Sequence, residues 1–137
     1  MRDITLQVKS VQKAMGEEPV EIDFITEGKL YLKGGATYLV YDETELSGLE
    51  NHKTTLKIHD DKVQMKRFGE NNSTMHFEMG LRETSNYETP YGVFKLEILT
   101  HRIEIDLGDT EGSVVVEYAI SIHGLHEANH KLHIRYW

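Results

Sequence analysis

The chain has 137 residues, 39% hydrophobic and 28% charged, which suits one globular domain with its own core and excludes a disordered chain. Its 23 acidic residues outnumber 15 Lys and Arg for a net charge of −8, with the lysines scattered among acids, so the basic face of a nucleic-acid binder is missing. Cysteine is absent, which excludes disulfides, thiolate catalysis and sulfur-ligated zinc, and no apolar run approaches the roughly 20 residues of a membrane helix.

Period-two alternation dominates the chain. In ITLQVKSV, Ile4, Leu6 and Val8 alternate with Thr5, Gln7 and Lys9; in VEIDFITEG, Val20, Ile22 and Phe24 alternate with Glu21 and Asp23. Such alternation predicts strands with one buried and one wet face. KLYLK and TYLVY, joined by Gly34-Gly35, predict a hairpin, and TLKIHDDKVQMKR predicts another that turns at Asp60-Asp61. Between them DETELSGLENH, 42–52, reads as a loop with room for a turn of helix. In NYETPYGVF, Thr89 precedes proline and should be extended, while Pro90 suits the second position of a type I turn ending at Gly92. In FKLEILTHRIEIDL the buried parity switches between Ile98 and Ile103, so a bulge or break belongs around Leu99–Arg102. The acidic GDTEG then turns the chain into SVVVEYAISI.

The segment HGLHEANHKLH places His123, His126, His130 and His133 at spacings of three, four and three, which on a helix would line one face. Strand alternation enters this segment from both sides, through Val114–Ile122 and through Leu132, Ile134 and Tyr136. A hairpin is therefore expected, with Ile122 opposite Leu132 and Leu125–Asn129 as its loop. In that register His123 and His133 point outward, His126 lies in the loop and His130 sits at the inner rim. Two outward imidazoles and one in the loop form a candidate metal site, with Glu127 as the one nearby carboxylate; a solvated hairpin is the plainer alternative.

The pieces add up to an all-β single domain spanning 1–137, with about eight to ten strands joined by short turns. Sequential short connections predict an antiparallel up-and-down barrel closed by its first and last strands. With NYETPYGVF as the most individual stretch, and with FEMGL, MKRFG and YDE, the chain resembles the YwiB-like family of small bacterial proteins along its whole length. That resemblance implies a calycin-type, lipocalin-like β-barrel of unknown function and supplies no reaction to transfer.

A barrel of this size either fills its interior with side chains or holds one small molecule. Met65 and Phe77, with Met75 and Met79, are inward candidates for an adaptable lining and equally for an ordinary core. Arg67 continues the inward parity opposite Thr54, where it would bind a ligand carboxylate or pair with a glutamate at the rim. Tyr38 and Tyr118 are candidate pocket hydroxyls, and Tyr87 and Tyr91 flank the proline corner as a rigid structural element or a barrel lip. The motifs of nucleophile elbows, phosphate loops and helical zinc sites are missing, and no cofactor is implied. The expected function is binding of a small, partly apolar or anionic molecule in the cytoplasm, with no nucleic acid or membrane as partner. The alternatives are a filled barrel that acts through its acidic surface and a metal-binding protein using the hairpin histidines.

Overall fold

The computed structural model describes residues 1–47, 50–122 and 125–137, with Leu125 and His126 described in backbone only. Ten strands follow one another: β1 (Arg2–Ala14), β2 (Val20–Lys33), β3 (Ala36–Asp42), β4 (Lys53–His59), β5 (Lys62–Phe68), β6 (Asn72–Phe77), β7 (Arg82–Thr89), β8 (Gly92–Leu107), β9 (Gly112–Ile122) and β10 (Leu125–Tyr136). One short 3-10 turn, Glu45–Ser47, occupies the loop between β3 and β4. Each strand pairs antiparallel with its neighbours in sequence, and β1 pairs with β10 to close the barrel. Thr5 and Trp137 exchange two backbone hydrogen bonds beyond the end of that ladder, at 2.9 and 3.0 Å.

Local chemistry accounts for the corners. Gly34 and Gly35 both hold positive φ, the geometry of a two-residue turn that follows the twist of its strands. Asp60 also adopts positive φ, which Asp tolerates better than most side chains. Thr89 accepts the Tyr91 N–H and donates to the Gly92 carbonyl, so its hydroxyl braces the Pro90-Tyr91 corner from both sides. The switch of parity in β8 is a bulge: its register on β9 jumps between Thr100 and Arg102, leaving His101 as the extra residue.

The interior is filled. Leu6, Leu39, Leu56, Met65, Val116 and Ile134 have no exposed surface, and Tyr41, Phe77, Ile98 and Tyr136 are nearly as enclosed. Each such side chain stabilises the fold by roughly 1.5–3 kcal/mol through removal from water. Phe77 packs against Tyr118 with ring centroids 4.6 Å apart, and Tyr118 stacks on His130 at 5.0 Å.

Three expectations need correction. The last hairpin is tighter than expected: Leu132 lies opposite Val116 rather than Ile122, and β10 begins at Leu125, where a loop was expected. The two registers differ by an even number of residues, which leaves every side chain on its face, so alternation alone does not separate them. Tyr38 points outward, with Lys57 over its ring, while Leu39 and Tyr41 take the buried parity; TYLVY is apolar on both faces. Met79 belongs to the exposed turn between β6 and β7 rather than to the lining.

Candidate functional site

One ladder is much shorter than the others. β6 and β7 pair only at Asn72–Glu88 and Ser73–Tyr87, whereas Thr74–Phe77 have no ladder partner on β7. Beyond that point the turn is drawn toward β8, through Gly80 N–H to the Thr100 carbonyl and Thr100 N–H to the Leu81 carbonyl. The two strands part between these anchorages, and a side chain replaces the ladder where Ser85 Oγ donates to the Thr74 carbonyl. The gap opens as a cleft of about 410 Å³, lined by Arg67, Phe68, Asn72, Ser73, Thr74, Ser85, Asn86 and Glu88.

Arg67 forms the floor of this cleft. Its position opposite Thr54 and Ser73 gives it inward parity, yet its side chain keeps 25% exposure. Its Nε lies 3.7 Å from Glu43 Oε1, and the Glu43 carboxylate is almost fully enclosed at 2% exposure. Thr54 Oγ1 donates to the same carboxylate oxygen at 2.6 Å. A buried carboxylate needs such partners, because an unpaired charge in the interior is very costly. The pair occupies one edge of the guanidinium. At 3.7 Å the buried Nε is paired by charge but not hydrogen-bonded, and the Nη groups make no hydrogen bond among the described residues either.

Behind the floor lie further polar groups. The Tyr41 hydroxyl sits beside Thr54 without a well-formed hydrogen bond, since the threonine is directed at Glu43. Thr100 Oγ1 is buried and likewise without a hydrogen-bond partner among the described residues. Burial pushes the Tyr41 and Tyr118 hydroxyls above the usual tyrosine range, so both remain protonated donors. Burial, with a smaller contribution from the Arg67 charge, lowers the His130 pKa to about 4, so this imidazole is neutral near pH 7.

A histidine braces the loop between β5 and β6. His52 is buried between the β3–β4 loop and the loop from Gly69 to Asn71. Its Nδ1 lies 3.1 Å from the Glu50 carbonyl, and its Nε2 lies 3.1 Å from the Asn71 backbone nitrogen. A carbonyl can only accept and a backbone amide can only donate, so in this arrangement Nδ1 donates and Nε2 accepts.

Of the sequence candidates, Arg67 lines the cleft. Met65, Phe77 and Tyr118 are core side chains behind it, and Tyr87 packs on that core from β7. Tyr38 faces outward and Tyr91, 94% exposed, stands at the tip of its hairpin, so neither belongs to a shared pocket. Glu43, Ser73, Ser85 and Asn86 were not singled out from the sequence. For Ser85 a signal existed: β7 carries Glu83 and Ser85 on the parity it shares with half-buried Tyr87, polar residues where core was due. His123 and the side chain of His126 lie outside the described residues. His133 faces outward near Lys9, Lys131 and Arg135, cationic neighbours that help lower its pKa after burial and that oppose a metal ion. Among the described residues no three potential metal ligands converge.

Three other surface grooves are larger. One, about 440 Å³, lies beside Arg2, whose guanidinium already donates to the Asp109 carbonyl. A second, of about 540 Å³, runs over β1–β3, but its lysines are already engaged, Lys29 with Asp3 and Lys53 with Asp42. The third, about 650 Å³, lies along the acidic loop that carries Thr110 and Glu111, and its Arg135 is stacked over Trp137. The β6–β7 cleft differs in that its arginine is part-buried and set against a sealed carboxylate.

Fold and site together define a closed, ten-stranded, up-and-down β-barrel with a filled core and a polar cleft at one parted ladder. Residues 6–134 match the model of the family described as Domain of unknown function (DUF1934), and the chain belongs to that family. It is 31% identical over 133 residues to the uncharacterized beta-barrel protein YwiB of Bacillus subtilis, covering 97% of this chain and 92% of that protein. The crystal structure of the B. subtilis ywiB protein superposes with a TM-score of 0.82 at 30% identity, covering 98% of this chain and 89% of that one. The family resemblance and the antiparallel barrel expected from the sequence both hold.

Proposed function

We propose that the protein is a binding module that holds a small organic molecule in the β6–β7 cleft, with its polar head on Arg67. The observation that carries this reading is the guanidinium itself. Its Nε is turned to Glu43, none of its nitrogens is hydrogen-bonded among the described residues, and its part-exposed side chain lines an open cleft. A planar fork of donors in a partly dry setting favours a carboxylate or a similar acceptor. The filled interior favours the cleft over the barrel lumen as the place of binding.

Native mass spectrometry of the purified protein, compared with its denatured mass, tests this directly. An added organic mass that disappears in Arg67→Lys supports the reading. A bare chain mass, together with no amide shifts at the cleft on adding pooled small organic acids and sugars, overturns it.

A further inference from the structure

We infer that the ligand of this cleft is a small hydroxylated monocarboxylate, of the sugar-acid type. This inference rests on the binding reading above and specifies its ligand class.

Charge sets the first limit. The cleft offers one guanidinium, already partly neutralised by Glu43 at 3.7 Å, and a second carboxylate, Glu88, stands in its lining. One such fork matches one planar carboxylate. A phosphate ester would bring about two negative charges to a site whose single cation is already shared, and the cost of unpaired charge rises away from bulk water.

The walls set the second limit. Thr74 and Asn86 make no side-chain hydrogen bonds among the described residues, and Asn72 uses only its carbonyl oxygen, to accept from the Gly69 N–H. Hydroxyl and amide groups both donate and accept, which is what ligand hydroxyls require. Phe68, 53% exposed, gives the lining one flat apolar face against which the C–H face of a ring can rest.

The interior sets the third. An alkyl tail has nowhere to go, because Met65 and Phe77 fill the space behind the floor with essentially no exposed surface. The cleft's volume of about 410 Å³ suits a compact ligand and lies toward the lower end of small-molecule sites.

The test is a nitrogen-15 amide titration of the full chain with glucuronate and gluconate, set against glucose, a hexose phosphate and octanoate. The two sugar acids should shift amides at Ser73, Thr74, Ser85 and Asn86, with the comparators at least about tenfold weaker. Arg67→Lys, which keeps the counter-charge for Glu43, should weaken glucuronate about tenfold. Asn86→Ala, on the exposed face, should weaken it several-fold without touching the core. Tighter binding of glucose, the phosphate or octanoate at the same amides overturns the ligand class and leaves a binding cleft. No shift at the cleft with any probe overturns both, and unchanged affinity in both variants removes the proposed contacts.

Discussion

Glu43 and Arg67 share one ion pair but not one environment: the carboxylate is sealed at 2% exposure while the guanidinium keeps 25%. Losing either partner should therefore be unequal. Arg67→Leu strands a carboxylate that has little access to water, and we expect it to cost about 3 kcal/mol. Glu43→Gln leaves an arginine that still touches solvent and should cost less, about 1–2 kcal/mol. Adding Glu43→Leu to Arg67→Leu should restore part of the lost stability. Urea denaturation of the four proteins checks this, and equal losses for both single variants would contradict the asymmetry.

His130 makes the fold acid-sensitive. Its native pKa of about 4 lies below the ordinary value of 6.5, because burial disfavours the imidazolium. Between these values the unfolded chain binds more protons than the native one, so this contribution to stability falls as pH drops. It is fully present above pH ~6.5 and lost progressively toward pH ~4. The size should be about 1–2 kcal/mol, discounted for the ring's partial contact with water. His130→Gln should flatten the stability profile in this window alone, measured by denaturant midpoints at fixed pH steps.

The His52 ring and Gly69 fit so closely that a Cβ on the glycine would lie 2.6 Å from His52 Cδ2. Gly69→Ala should destabilise by about 1–3 kcal/mol through overpacking. The same change in a His52→Ala background should be nearly neutral, a coupling that a double-mutant cycle reads directly. His52→Ala alone should also speed hydrogen exchange at the Asn71 amide, which loses its acceptor.

Gly28 has a different reason to be glycine. A Cβ there would meet the Val40 carbonyl oxygen at 2.3 Å and Leu6 Cδ1 at 2.7 Å, and the first of these is backbone that cannot rotate aside. Gly28→Ala should cost more than Gly69→Ala, about 2–4 kcal/mol, because the strand itself must shift. Thermal melts of the two variants side by side decide the order.

What could be read in advance follows from what alternation encodes. Ile4, Leu6 and Val8 declare a face, Gly34-Gly35 declares a turn, and the change of parity past Ile98 declares a bulge, because each is a local constraint on the backbone. Register is weaker information: Leu132 is as well placed against Ile122 as against Val116 until the closing of the whole sheet chooses. Tyr38 was misplaced because its strand is apolar on both faces. The inward setting of Arg67 was legible from Thr54 across the hairpin, but its acidic partner was not. Glu43 comes from a loop, where no periodicity assigns a side chain to a face. The parting of β6 from β7 was the least visible, since it depends on the turn at Gly80 and Leu81 being held by β8.

The pairing of β1 with β10 has a consequence for how the chain reaches this shape. Nine of the ten ladders join consecutive strands and form as local hairpins, while the last brings Leu6 to Tyr136 across nearly the entire chain. Loop-closure entropy for a span of that length is roughly 4 kcal/mol, and little of it is repaid before the ladder zips. The meander should therefore exist first as an unclosed ribbon with two bare edges, each a template for another molecule's strand. Refolding yield should then fall as protein concentration rises, even where the finished barrel shows no tendency to associate. Apart from the short stretch where β6 and β7 separate, the described barrel has no strand edge to offer; its hazardous moment is the interval just before the long edges close.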